Sequence, residues 1–351
     1  VTSLDLAAPE DDPFLAGVDC VVGDITDYAR LKEQFAGVDA VVHLAAIPNP
    51  RTAPADVTFN TNVNGAYAVM QAAEDAGVKR VVVASSDSVF GLSYNPPDWP
   101  PKYLPVDEDH PVRPTEFYSL SKYVTETIAQ SFAARGRIEV LVIRPVHIVF
   151  PPEYPELEAR GADVENYHFW TFVAPEDVAQ GFDLALDADY QRYEVFTISG
   201  AEGLNERPTL ELARDRWGDI EVRRPEVYEQ NPFASVIDIT RARERLGYVP
   251  EVTWREMIKS NPHPGPEPEA IMTDNRVAVV TGAAAGIGAA TAIELARRGD
   301  RLALVDRDAE GLAATAAAIR DAGGDARTIV ADVADRASAG KAAAGIAADW
   351  G

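Results

Sequence analysis

Short continuous apolar runs, rich in Val and Ile, recur at 18–22, 40–44, 80–84 and 139–143. Such runs suit strands covered on both faces, as in a parallel sheet. Helical patterns fill the intervals, at 28–36, 56–76 and 116–135. Strand and helix in alternation predict a doubly wound α/β sheet. The rhythm returns with apolar runs at 277–281, 302–306 and 327–331, separated by helical stretches at 287–298 and 308–322. An internal echo ties the two stretches together. Asp5 follows one strand and Asp24-Ile25-Thr26-Asp27 the next; later, Asp306 follows a strand and Asp332-Val333-Ala334-Asp335 the next. The chain reads as two versions of one nucleotide-binding plan.

Between them lies Asn261-Pro262-His263-Pro264-Gly265-Pro266-Glu267-Pro268, a proline density that suits an extended linker. The expected organisation is a module at 1–260, a linker at 261–275 and a second module at 276–351. Beyond the linker the composition turns Ala-rich and Gly-rich, and Met272-Thr273-Asp274 looks like the start of a second reading frame. At the other end, Val1–Asp5 already has the look of a strand end.

Composition narrows the classes. Hydrophobic residues are 46% and charged residues 25% of 351, the balance of a globular protein. Against 32 basic side chains stand 56 acidic ones, a net charge of -24. That field disfavours nucleic acid and anionic membranes as partners. A single cysteine, Cys20, excludes a disulfide framework. The histidines are scattered without metal-ligand spacing, so no metal is expected. No apolar run is long enough to span a bilayer, and the first residues lack a basic leader. The expected location is the cytoplasm.

Candidate chemistry sits at Ser86, Tyr118 and Lys122. Tyr118 and Lys122 are four apart in a helical pattern and share one face. An ammonium beside a phenol favours the phenolate, which predicts a lowered Tyr118 pKa and a usable acid or base. Ser86 lies just past the strand at 80–84, and ligands of open α/β sheets bind at the carboxyl ends of strands. It could orient a substrate oxygen, or simply cap a turn. Tyr167, His168 and Trp170 could line a substrate cleft or pack in the core. His43 and His147 read as structural.

These segments, in order, resemble the extended short-chain dehydrogenase/reductase family, also called the NAD-dependent epimerase/dehydratase family. Val42-His43-Leu44-Ala45-Ala46, Asn62-Val63-Asn64-Gly65, Ser85 through Gly91, Tyr118-Ser119-Leu120-Ser121-Lys122 and Arg144-Pro145 match its motifs in sequence. Asp238-Ile239-Thr240, Arg241 through Gly247, and Trp254-Arg255-Glu256 resemble its C-terminal substrate region. The resemblance implies a Rossmann-type sheet with a small C-terminal substrate region. It implies Tyr118 as proton donor or acceptor, Ser86 as its partner at the substrate oxygen, and Asn62 as support. Lys122 would bind ribose and tune Tyr118. Asp24 and Ile25 would meet adenine, Ala45 and Ala46 would lie against the cofactor, and Pro145 would contact nicotinamide. Asp5 would accept from ribose hydroxyls and favour NAD over NADP. Two departures stand out. Ser88 occupies the place of the glutamate used by the family's sugar dehydratases, which argues against elimination. The family's first βα unit, with its Gly-rich loop, has no counterpart ahead of Asp5.

The second module has such a loop. Val277-Ala278-Val279-Val280 leads into Thr281-Gly282-Ala283-Ala284-Ala285-Gly286-Ile287-Gly288 and then a helical pattern. Strand, Gly-rich turn and helix is the context of a dinucleotide site, and Asp306 stands where a ribose-binding acid belongs. Residues 276–351 resemble the N-terminal part of a classical short-chain dehydrogenase, appended here as a partial βαβαβ unit. That resemblance assigns Gly282, Gly286, Ile287, Gly288, Asp306, Asp332 and Val333 to a cofactor. The module stops short of that family's Ser and Tyr-x-x-x-Lys. Two functions stay open. The first is an NAD-dependent oxidoreductase or epimerase acting on a sugar or nucleotide sugar, with a homodimer as the expected assembly. The second is a non-catalytic nucleotide-binding protein, or an inactive product joining parts of two adjacent dehydrogenase genes.

Overall fold

The structure, a computed structural model, describes residues 1–6, 18–94, 99–189, 192–260, 277–281, 283–284, 289, 292–293, 295–296, 301–321, 323–331 and 341. The chain divides into two compact units, Val1–Pro262 and His263–Gly351. No helix among the described residues is long and apolar enough to cross a membrane.

Strands of the first unit are β1 (Thr2–Asp5), β2 (Asp19–Val22), β3 (Ala40–His43), β4 (Arg80–Ala84), β5 (Tyr103–Leu104), β6 (Glu139–Pro145), β7 (Tyr193–Ile198) and β8 (Glu221–Val222). A four-stranded parallel sheet in the order β3-β4-β6-β7 forms its centre. β1 and β2 make a parallel pair of their own, Thr2 opposite Asp19 through Asp5 opposite Val22. No ladder joins β1 to β3 among the described residues. Helices α1 (Tyr28–Gln34), α2 (Ala55–Ala76) and α3 (Phe117–Ala134) supply the cover. The four apolar runs all became strands. β7 was missed, because Tyr193-Glu194-Val195-Phe196-Thr197-Ile198 alternates and lacks a continuous apolar run.

β4 and β6 show why the runs are continuous. Val81, Val83, Val140 and Val142 pack on one face, against Met70 and Ala73 of α2 and Ala129 and Phe132 of α3. Val82, Leu141 and Ile143 point the other way, into a larger core with Phe182, Phe196 and Trp254. Successive side chains of a strand face opposite ways, so two covered faces demand apolar residues at every position. A third cluster ties the β1–β2 pair to this layer. Ile25, Leu31, Ala68, Val69 and Ala72 form it, with Leu4 of β1 and Val41 of β3 packed against them.

Local signals set the helix ends. α2 stops at Gly77, whose φ of 78° is open to glycine and whose N–H reaches Ala73 and Glu74 carbonyls. Beyond β6 come α4 (Leu157–Ala162), α5 (Pro175–Asp187), α6 (Thr209–Trp217), α7 (Pro225–Gln230), α8 (Thr240–Leu246) and α9 (Trp254–Ser260). Just ahead of α8 the Asp238 carboxylate accepts from the Thr240 N–H at 2.7 Å. Thr253 and Glu256 bond reciprocally at the start of α9. The polar groups read as a substrate region are therefore partly spent on holding their own helices.

In the second unit β9 (Val277–Thr281), β10 (Arg301–Asp306) and β11 (Ala326–Val330) form a parallel sheet in the order β11-β10-β9, with α10 (Ala309–Asp321) after β10. Leu302 and Leu304 of β10 are buried with Leu312, Ala316 and Ile319 of α10. Both units are thus α/β with parallel strands.

Candidate active site

β4 ends at Ala84, and the next residues turn at once into a short 3₁₀ turn, Asp87–Phe90. Ser86 caps that turn in extended conformation, its Oγ accepting from the Ser88 N–H at 3.1 Å. The same Oγ donates to the Asp87 carboxylate at 3.2 Å and is hydrogen-bonded to the Tyr118 hydroxyl. The turn-capping alternative is thus realised, and the same Oγ faces the Tyr118 hydroxyl.

Tyr118 lies in the first turn of α3. Glu116 starts that helix by accepting from the Tyr118 and Ser119 N–H groups. One turn on, the Lys122 Nζ donates to the carbonyl of Ala84 at 3.0 Å and sits 5.9 Å from the Tyr118 ring centre. Both side chains are buried. The expected lowering of the Tyr118 pKa is not found. Burial pushes the phenol well above its ordinary value, outweighing the Ser86 hydrogen bond that pulls it down. The Lys122 ammonium is itself pushed down to about 8 by burial, against the field of Glu126. Desolvation disfavours charge on both groups, and the spacing of a Tyr-Lys pair carries no information on depth. Asp87 is likewise pushed up to about 7, chiefly by burial.

Asn62 of α2 is a tie rather than a reacting group. Its amide oxygen accepts from the Ile47 N–H at 2.8 Å. Its amide nitrogen donates to the Ile47 carbonyl at 3.1 Å and to Ser121 Oγ at 3.0 Å. One side chain thus fixes the loop after β3 against the helix that carries Tyr118 and Lys122. His43 is buried and held neutral, its pKa lowered to about 3 by desolvation with Lys122 contributing.

Sequence reasoning missed Glu126. Its carboxylate takes a forked pair of bonds from Arg144 of β6, at 2.8 and 2.7 Å, and accepts from the Ser85 hydroxyl. Positions 118, 122 and 126 lie on one helical face, so the spacing did carry that signal. Arg51 and Tyr94 were missed too; both come from loops, where periodicity is silent.

The remaining calls divide. Pro145 ends β6 buried beside the site. Ala45 and Ala46 follow β3 half-buried, Ala45 packed against the α1–α2 cluster. Asp5 closes β1, its carbonyl accepting from Gly23. Asp24 is exposed, but its carboxylate accepts from the N–H and hydroxyl of Thr26 at 2.8 Å each, which lowers its pKa. The Ile25 side chain is buried against α2, where a Cβ on Gly65 would meet it at 2.4 Å. Asp306 accepts from the N–H groups of Ala284, Arg307 and Asp308, which keeps it ionised. Gly282, Gly286, Ile287, Gly288, Asp332 and Val333, like the whole linker at 261–275, lie outside the described residues. Trp170 is core, its indole N–H donating to the Asp163 carbonyl, while Tyr167 is exposed beside His168. Among the described residues no group of His, Cys, Asp and Glu could hold a metal ion.

Comparison with known proteins places the chain in a family. Residues 5–161 match the NAD dependent epimerase/dehydratase family, and residues 276–351 match the short chain dehydrogenase family. A relative from Haloferax volcanii, L-arabinose 1-dehydrogenase (NAD(P)(+)), is 35% identical over 178 residues, 49% of this chain and 69% of that protein. The chain belongs to the NAD dependent epimerase/dehydratase family. Another member, dTDP-glucose 4,6-dehydratase of Streptomyces griseus, is 30% identical over 250 residues, 66% of this chain and 72% of that protein. Among solved structures, MoeE5 in complex with UDP-glucuronic acid and NAD aligns at a TM-score of 0.53 with 21% identity, covering 74% of this chain and 88% of that one. That likeness shows the Rossmann-type fold. Membership makes this an enzyme-type chain of the short-chain dehydrogenase class.

Proposed function

We propose that the first unit is an NAD-dependent oxidoreductase or epimerase acting on a hydroxyl or carbonyl of a sugar or nucleotide sugar. The observation that carries this is the meeting of Ser86, Tyr118 and Lys122 at the carboxyl end of β4, with Asn62 bracing them. Relatives named as a sugar dehydrogenase and a sugar-nucleotide epimerase support the substrate class. The lysine fits a dinucleotide. One of its N–H donors goes to Ala84, and the others match vicinal ribose hydroxyls. Asp5 at the end of β1 suits the second ribose, which favours NAD over NADP.

A nicotinamide dinucleotide, when bound, supplies the group that takes or gives hydride. Tyr118 handles the proton. In oxidation it accepts the substrate O–H proton while the C–H hydrogen leaves as hydride; in reduction it donates to the carbonyl oxygen. Ser86 holds that oxygen, and the Asp87 carboxylate behind it orients the serine hydroxyl. Burial keeps the resting phenol protonated, the form suited to reduction. Oxidation needs the phenolate, so its rate should climb with pH. Ser88, in place of a glutamate, leaves elimination without a base.

Turnover is tested by following NADH against a panel of uronic acids, free sugars and UDP-sugars. Tyr118→Phe should lower turnover by about 10²–10⁴ while NADH affinity stays within a few-fold. A variant as active as the wild type would remove Tyr118 from the reaction. That no ladder joins β1 to β3 among the described residues favours a second reading, a nucleotide-binding protein without turnover. NADH binding with no turnover on any sugar would select it.

A further inference from the structure

We propose that Arg51 is the specificity residue of this site and that it recognises an anionic oxygen group, carboxylate or phosphate, on the sugar. This rests on the reading of the first unit as a sugar-acting enzyme. Arg51 stands in the loop that follows β3, at the carboxyl edge of the sheet, where Tyr118 also lies. Its guanidinium sits 5.4 Å from the Tyr167 ring centre and 5.9 Å from that of Tyr94. Tyr94 adjoins the reacting groups, since its field and those of Asp87 and Glu116 all act on Tyr118. The cation is thus held on aromatic rings next to the candidate acid–base.

Its charge state is the unusual part. The chain carries a net charge of -24, and carboxylates are plentiful. Nearby Arg160 is paired with both Glu153 and Glu156. Among the described residues no carboxylate forms an ion pair with Arg51. Stacking over rings uses the faces of a guanidinium and leaves its in-plane N–H donors for a planar oxyanion. A buried acceptor site adds to this. Tyr167 lies tilted against His168 with ring centres 3.8 Å apart, His168 stacks on His147 at 4.0 Å, and the His168 Nε2 is buried with no hydrogen-bond partner among the described residues. Burial holds His168 neutral at about 2, so this nitrogen suits a neutral hydroxyl and not the anion.

The backbone around the rings is held in costly conformations. Tyr94, Phe169 and Trp170 have φ of 61°, 53° and 59°, the left-handed region that bulky side chains avoid. Non-glycine residues kept there cluster at ligand sites, where the surroundings over-determine them. Three such residues flank one ring stack.

The experiment is calorimetric titration of the full chain, with NADH present, using glucuronate, glucose 6-phosphate and glucose. Wild type should bind at least one anionic sugar about 10- to 100-fold more tightly than glucose, as a charge-assisted pair of hydrogen bonds allows. Which of the two it prefers separates a carboxylate from a phosphate. Arg51→Gln should abolish that preference while leaving glucose binding unchanged, and Arg51→Lys should recover part of it. Because the side chain is exposed, circular dichroism of the variants should overlay the wild type. Equal binding of all three sugars, no binding of either anion, or an unaltered preference in Arg51→Gln overturns the proposal. NADH turnover, measured in parallel, reads the oxidoreductase assignment separately: an anion bound through Arg51 without turnover keeps this inference and removes that assignment.

Discussion

Glu126→Gln tests how the site is built from beneath. Glu126 and Arg144 are both 5% exposed at the side chain and share two hydrogen bonds, with a nearest approach of 2.7 Å. Arg144 has no water to fall back on, and burial already works against its charge. Removing one partner of such a pair leaves a buried charge uncompensated, a loss of about 3–5 kcal/mol. For a unit of this size the urea m-value is about 3 kcal/mol/M, so the unfolding midpoint should fall by about 1–1.7 M. Trp170, Trp217 and Trp254 give the fluorescence signal. The double variant Glu126→Leu/Arg144→Met replaces the pair with apolar groups and should recover most of that loss. Glu126 also raises the Lys122 pKa. In Glu126→Gln the lysine should therefore lose its proton below about 8, and the alkaline limb of NADH binding should move to lower pH. A single variant that costs under about 1 kcal/mol, or a double variant that costs the sum of both singles, would refute this account of the pair.

Asp87 gives a pH signature. Its folded pKa, about 7, lies above the ordinary carboxyl value of 3.8, so the folded state holds a proton that the unfolded state releases. Stability falls as pH rises from about 4 to about 7. Asp87 keeps part of its surface open, so Asp87→Asn should add a discounted 1–3 kcal/mol or so at pH 8 and nothing below pH 4; a gain that persists at pH 3.5 would contradict the shift. Asn62→Ala should cost about 1–3 kcal/mol for the unmade bonds at Ile47 and Ser121. It should also lower kcat more than it weakens NADH binding, and unchanged kcat would reduce Asn62 to a packing residue. Gly161→Ala would place a Cβ 2.2 Å from the Leu204 carbonyl oxygen, a backbone atom that cannot swing aside; a melting temperature equal to wild type would show that α4 shifts freely.

What was legible in the sequence follows from what each signal measures. Continuous apolar runs found β2, β3, β4 and β6 but not β7, whose Tyr193 and Glu194 stay half-buried at the sheet edge; the run reports burial on both faces in β4 and β6, while β2 is largely exposed. Spacing reports a shared helical face, and so it joined Tyr118 to Lys122. It says nothing of depth, and depth decides the charge. The phenol is pushed up and the ammonium down because both were carried under the loop after β4. Glu126 shares that face, so spacing pointed to it, but its partner Arg144 lies on another element, 18 residues away. Tertiary pairings of this kind leave no trace in local pattern. The loops were the least legible part, and they hold the groups that would select a substrate. Ser86, Tyr118 and Lys122 sit on or beside regular elements and can serve any hydroxyl. Arg51, Tyr94 and Tyr167 stand on connecting segments, and only the folded chain brings their rings and charge together. On the proposed reading, chemistry would be set by elements the sequence announces, and selectivity by loops it does not.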